Sequence, residues 1–264
     1  MATLGIAVAL GGIRMNIGLY QSASSLSALE RWQDAVAQNI TSAQTTGYRK
    51  RTVEFSSENA GKFTLNPNAK ANDPDNTSPA VFTTTTNGIN YLSGETLPTR
   101  NELDVAIQGD GFFEVQKPDG TKAYTRSGEF RVRPDRTLVT DGDCEVMSEG
   151  GSPITTLPGG GPININSDGT IFQNGAQLGK FSIQKFANTD GLTPLAGGLF
   201  VAQPNAGISP VEKPELMQGY LEQSNVQPLR EMVDLVLISR AYEANQKVIS
   251  TADQQMDKTL QALG

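Results

Sequence analysis

Few residues in this chain have the chemistry that catalysis requires. There is no histidine and a single cysteine. A histidine-based triad is therefore impossible, and a zinc centre would have to gather carboxylates around one thiolate. Cys144 lies in Thr140-Asp141-Gly142-Asp143-Cys144-Glu145, among carboxylates that raise a thiol's pKa and disfavour the reactive thiolate. It reads as a structural thiol, and a lone cysteine leaves no internal disulfide. Asp104, Asp110 and Glu114 offer the paired carboxylates of glycoside hydrolysis, but they sit amid turn glycines with no aromatic platform nearby, and solvated turn carboxylates are expected. Gly109-Asp110-Gly111 could cradle a phosphate only by opening a helix, whereas Phe112-Phe113-Glu114-Val115 reads as strand. Asp73, Asp75 and Asn76 form a fragment of a calcium loop without its glycine or its later glutamate. No catalytic, cofactor-binding or metal-binding residue is expected, and no cofactor.

The elements that carry these residues are short strands. Leu103 to Val115 predicts two strands around the Gly109-Asp110-Gly111 turn, Pro118-Asp119-Gly120 turns the chain again, and Tyr124 to Val132 alternates in strand fashion. Residues 101–147 are thus expected to form four or five strands in a meander, with Phe112, Phe113, Tyr124 and Phe130 in its core. Glu149 to Pro162 is a glycine- and proline-rich loop; further strands are expected within Ile163–Ile171, Gln177–Phe186, Leu199–Val201 and Met217–Glu222. Upstream, Lys50–Ser57 and Ala80–Asn90 favour extended chain, separated by a polar stretch, Asn59 to Pro79, expected to be a long loop.

Two helices bracket this β-rich middle. Leu235, Ile238, Tyr242, Asn245, Ile249, Ala252, Met256, Thr259 and Leu263 recur at steps of three and four, a heptad over about 35 residues and roughly 50 Å. Pro228 and Glu231 suit its first turn. Near the other terminus Leu19, Ser22, Leu26, Leu29, Gln33, Val36 and Ile40 repeat the spacing, and Gly47 suits a left-handed residue through which the chain leaves the helix. Patterning leaves open an intramolecular helical hairpin or a coiled coil assembled with other copies. The expected fold class is α+β, with terminal helices, each patterned for a coiled coil, around a central all-β domain of hairpins. The expected boundaries are an N-terminal extension over 1–14, an N-terminal helix over 15–48, a linker over 49–100, a β-rich outer domain over 101–222 and a C-terminal helix over 223–264.

The net charge of -7 opposes nucleic-acid binding. Residues 1–13 are apolar but too short to span a membrane, and no basic residue precedes them as a cleaved signal would require, so no stable membrane insertion is expected.

Several stretches together resemble the bacterial flagellar basal-body rod and hook protein family. They are Val36-Ala37-Gln38-Asn39-Ile40 with Thr45-Thr46-Gly47-Tyr48-Arg49; Asn101 to Phe113, holding Leu103, Asp104, Gly109, Asp110, Gly111 and Phe112; Tyr124-Thr125-Arg126-Ser127-Gly128; Leu138 to Gly142; Gly219 to Val226; and Arg240-Ala241-Tyr242-Glu243 with Ala244 to Ile249. Thr41-Ser42-Ala43-Gln44 and Glu102 depart from the family pattern, and Asn59–Pro79 matches no rod type closely. The region around Asp168-Gly169-Thr170-Ile171 is more similar to the proximal than to the distal rod members. The resemblance implies a non-enzymatic structural subunit whose terminal helices polymerise into a periplasm-spanning shaft that transmits torque. It implies as partners the chain itself and other rod proteins, with hook and inner-membrane ring components, and export by the flagellar type III apparatus without a cleaved signal. A distal rod or hook-like subunit, a non-polymerising secreted β-domain protein and a cell-wall hydrolase stand as alternatives.

Overall fold

A computed structural model describes residues 2–64 and 77–263, with side chains over 20–59, 81–258 and 261–262. They form two compact units. One holds the chain up to Gln38, Arg51–Gly88 and the chain from Leu229; the other holds Asn39–Lys50 and Ile89–Pro228. The architecture is α+β, with terminal helices flanking a central β-rich region.

The first unit contains α1 (Ala2–Thr41), the strands β1 (Arg51–Thr64) and β2 (Thr77–Ile89), and α2 (Pro228–Leu263). The helix α1 begins inside the segment set apart above as an extension, since its alanines, leucines and isoleucines favour helix enough to carry the glycines. It ends at Thr41, so Gly47 is not its C-terminal cap.

The two strands pair as a ribbon. The polar stretch expected to be a loop is therefore strand over 59–64 and 77–79, because backbone pairing in a ribbon needs no apolar face. Pro79, which cannot donate, is tolerated because a two-stranded ribbon has free edges. The calcium-loop fragment at Asp73, Asp75 and Asn76 lies outside the described residues.

The ribbon packs along α1 by matching two periodicities. Gln21 Nε2 donates to Val81 O (3.1 Å), the Ser25 and Thr83 hydroxyls meet at 3.3 Å, and Arg31 Nη1 donates to Thr85 Oγ1 (3.1 Å). Ten helical residues advance about 15 Å and four strand residues about 13 Å, so the two run in step. Trp32 meets Phe55 edge to face at 5.6 Å.

The second unit is the β-rich one. In chain order its strands are β3 (Thr96–Pro98), β4 (Val105–Gln108), β5 (Phe112–Gln116), β6 (Lys122–Thr125), β7 (Phe130–Val132), β8 (Leu138–Thr140), β9 (Glu145–Val146), β10 (Ile163–Ile165), β11 (Thr170–Gln173), β12 (Ala176–Lys180), β13 (Ile183–Phe186), β14 (Leu192–Pro194), β15 (Leu199–Ala202), β16 (Ile208–Pro210), β17 (Glu215–Gln218) and β18 (Tyr220–Glu222). The main sheet runs β14-β15-β6-β5-β9-β8-β7, with β13 joining β5 to β16; β10, β11 and β12 form a second sheet, and β17 pairs with β4 and β18 with β3.

The strands on either side of Gly109-Asp110-Gly111 do not pair with each other, contrary to the hairpin expected there. β4 leaves to meet β17 while β5 joins the main sheet. Side-chain alternation along β5 then feeds two cores. Phe113 and Val115 join Val105, Leu138, Ile171 and Leu216, whereas Phe112 packs with Tyr124, Leu192 and Phe200. Cys144 is buried in the first core, and burial, more than its neighbouring carboxylates, pushes its thiol up.

Candidate functional site

Most described seam positions are buried or half-buried, although Gln33 is exposed and the off-seam Ala28, Asn39 and Glu231 are buried as well. On α1, Leu29 and Val36 are buried and Leu26 and Ile40 half-buried. On α2, Ile238 is 1% exposed, Tyr242, Asn245, Ile249, Ala252 and Met256 are half-buried, and Leu235 lies at the exposed edge of the line. The Leu263 side chain lies outside those described. A shallow cleft is lined by Gln33 of α1 and by Leu235, Val236, Ser239, Tyr242 and Glu243 of α2. Asn245 hydrogen-bonds its own helix, its Nδ2 donating to Ala241 O (3.0 Å). Glu231, fully buried, sits on the same face in the first turn, where the helix dipole favours a carboxylate.

The opposite face of α2 is apolar as well, which the heptad gave no reason to expect. Leu229, Met232, Val233, Val236 and Leu237 are between 49% and 79% exposed. At 100° per residue they centre on the side of the helix away from Ile238. Arg240 and Glu243, from the C-terminal signature, are exposed beyond them.

Most of the remaining signature residues meet at a buried ionic clasp within the β-rich unit. Arg49 and Arg126 share the carboxylate of Glu222: Arg49 Nη1 donates to Oε1 (2.6 Å) and Arg126 Nε to Oε2 (2.9 Å), and none of the three side chains is more than 3% exposed. Gly94 N donates to the same Oε1 (2.9 Å). The other nitrogens of Arg126 donate to Gly111 O (2.6 Å), Gly109 O (2.7 Å) and Ser93 Oγ (3.3 Å), and its guanidinium lies over the Phe112 ring, 5.8 Å from the centroid. Burial lowers the Arg126 pKa and the Glu222 carboxylate pulls it back up.

The surrounding backbone closes on this clasp. Gly47 N donates to Glu222 O (2.8 Å). Asn225 Oδ1 accepts from Lys50 N (2.7 Å), and its Nδ2 donates to Asn90 O (2.9 Å) and Leu92 O (2.8 Å). Tyr48 Oη donates to Asn39 Oδ1 (3.3 Å), and the Thr46 and Ser127 hydroxyls meet at 2.6 Å. The clasp therefore ties four stretches of the β-rich unit that are distant in sequence, 39–50, 90–95, 109–128 and 219–226.

Gly47 explains why its stretch admits no side chain. Its φ is +67°, and a Cβ there would lie 2.4 Å from Arg126 C and Ser127 N. Gly47→Ala is expected to cost at least ~2 kcal/mol from left-handed strain and the clash, read as a lowered urea midpoint with an unchanged slope.

The expectation of solvated turn carboxylates is corrected at two of three positions. Asp110 is exposed, but Asp104 is buried and accepts from Asn101 Nδ2 (2.9 Å), while Gly219 N donates to Asp104 O (2.7 Å). Leu103 packs partly buried against the main core. Glu114 is buried and accepts from Lys122 Nζ (2.7 Å), Ser182 Oγ (2.6 Å) and Gln184 Nε2 (3.3 Å). Burial raises the Glu114 pKa, but these donors and the Lys122 charge outweigh it and leave the pKa below its usual 4.5. A depressed pKa contributes stability that is fully present above the unfolded value and lost as pH falls through the folded one. Acid unfolding should therefore separate the wild type from Glu114→Gln only above that range, with the wild type more stable at pH 7 and the difference vanishing in strong acid.

The Gly109-Asp110-Gly111 turn presents carbonyl oxygens to a cation, the opposite of an anion-binding cradle. The residues that sequence reasoning did not single out are Arg49, Arg126, Glu222 and Asn225. The available signal was a charged residue inside an apolar strand, as in Tyr220-Leu221-Glu222.

Among the described residues no group of three or more histidine, cysteine, aspartate or glutamate side chains could hold a metal ion, and no helix is long and apolar enough to cross a membrane. Residues 106–173 match the model of the flagellar hook protein FlgE/F/G D1 domain, and residues 217–262 match that of the flagellar basal body rod FlgEFG protein C-terminal region. The first match covers β4 through β11 and the second covers α2. The chain is 32% identical to the flagellar basal-body rod protein FlgF of Caulobacter vibrioides, over 95% of this chain and 99% of the relative. It is 31% identical to FlgF of Rhizobium meliloti, over 95% and 99%. To the flagellar basal-body rod protein FlgG of Agrobacterium fabrum it is 34% identical, over 88% and 94%. With the matches running from the helices through the clasp, the chain belongs to the flagellar basal-body rod protein family.

Proposed function

We propose that this chain is a proximal rod subunit that polymerises through its terminal helices into the periplasmic drive shaft joining the inner-membrane ring to the hook. The observation that carries the reading is the two-sided apolarity of α2. Its Ile238 face is covered within one chain, whereas Leu229, Met232, Val233, Val236 and Leu237 are left exposed. A helix apolar on both sides belongs in a multi-helix layer, and heterologous contacts that do not close generate a helical filament. Long helices packed side by side resist twist because sliding them breaks many contacts at once, which is the mechanical property a shaft needs. The proximal position is supported by the likeness of the region around Asp168-Gly169-Thr170-Ile171 to the proximal members, while the FlgF and FlgG relatives are both covered over nearly their full length. The partners are further copies, other rod proteins and components at the shaft's two ends. The route is flagellar type III export without a cleaved signal, and no catalysis is involved.

The test is complementation of a strain lacking the chain with Val233→Asp/Val236→Asp. Both positions are exposed in the single chain, so the variant should fold and be exported yet give non-motile cells without hooks. Wild-type motility would contradict the reading.

A further inference from the structure

The segment 215–226 touches more of the β-rich unit than its length suggests. β17 bonds to β4 and β18 to β3. Leu216 enters the main core, and Gln218 Nε2 donates to Glu102 O (2.8 Å) and Ile163 O (2.7 Å). Glu222 supplies the carboxylate on which Arg49 and Arg126 both close, 173 and 96 residues away in sequence. Asn225 fixes the backbone at Lys50, Asn90 and Leu92.

We infer that residues 215–226 are a closing strap: the β-rich unit stays open until they dock, and segments 45–50 and 90–98 lock in the same step. Two physical arguments support this order. Burying Arg49 and Arg126 before Glu222 arrives would strand two guanidiniums away from water with no carboxylate. The β5–β6, β7–β8 and β10–β11 hairpins close short loops and form early, whereas the strap pairs residues more than a hundred positions apart and pays the larger loop-closure entropy. A chain that emerges N-terminus first therefore carries an open β-rich unit until residue 226 arrives, immediately ahead of α2. Closure of the unit and delivery of the C-terminal helix become successive steps of one event. The inference stands on the clasp alone and does not depend on the assembly reading.

The full chain is refolded from denaturant, and its amides are pulse-labelled with deuterium and read by mass spectrometry. Peptides covering 112–125 and 130–146 should gain protection first. Those covering 45–50, 94–98, 105–108 and 215–223 should follow together in a phase at least tenfold slower. In Glu222→Ala the early phase should keep its rate within twofold, while the strap and its partners exchange at least tenfold faster at equilibrium. Strap protection that arises with or before the hairpins in the wild type would overturn the inference, and that comparison needs no variant. Wild-type protection of the strap in Glu222→Ala would overturn it too.

Discussion

Replacing Glu222 by glutamine is expected to lower the stability of the β-rich unit by about 3–5 kcal/mol. The substitution keeps the side chain's size, so packing is preserved and the loss is electrostatic. Arg49 and Arg126 are buried against Glu222 and remain ionised, since a guanidinium does not give up its proton in a protein. Gly109 O, Gly111 O and the Phe112 ring offset part of the Arg126 charge but carry no formal charge themselves. Denaturant unfolding can be followed through the alkylation of Cys144, whose buried thiol reports opening of the main core. A companion that removes all three charges, Arg49→Met/Arg126→Met/Glu222→Gln, should recover much of the loss, because a buried ion cluster is costly mainly when broken. A loss under about 1 kcal/mol in Glu222→Gln, the range of an exposed pair, would mean that the Glu222 charge is not what holds the clasp.

Ile238→Asp is expected to abolish assembly while leaving the β-rich unit folded. Ile238 is 1% exposed in the single chain, so a carboxylate there is buried without a partner, a change that costs several kcal/mol. The damage should stay in the helical unit, because the two units have separate cores. Cys144, buried in the main core of the β-rich unit, should stay protected from alkylation, whereas far-ultraviolet helix content should fall and cells carrying the variant should not swim. The contrast with Val233→Asp/Val236→Asp separates the two faces of α2: the first variant loses helix in the monomer, the second only loses partners.

The helices were legible because their signal is periodic and long. The heptad placed Ile238, Val36 and Leu29 on covered faces without reference to any partner. The exposed second face was harder to see, since Leu229, Met232 and Val233 read as continuation of an apolar segment rather than as a second stripe. Strand positions were legible from alternation and turn residues; strand partners were not. Nothing local tells β4 to choose β17 over the adjacent β5, and the turn between β4 and β5 gives its Gly109 and Gly111 carbonyls to Arg126, far along the chain. The ribbon arms at 59–64 and 77–79 were misread as loop because paired backbone, which sequence does not display, holds them. The clasp was hidden for the same reason. Its members are 96 and 173 residues from Glu222, and each belongs to a motif that looks like an ordinary turn or strand.

Assembly through the exposed face of α2 can be tested by imaging purified hook–basal bodies from the native bacterium by electron cryomicroscopy, with cross-linking through Val233→Cys in a Cys144→Ser background. Density for this chain is expected in the rod beside the inner-membrane ring, with both terminal helices in the inner wall and position 233 cross-linked to a neighbouring subunit. Density nearer the hook would keep the mechanism and move the chain to the distal position. Absence of the chain from the rod, or position 233 facing solvent in the assembled shaft, would contradict the claim that α2 joins subunits through its exposed face.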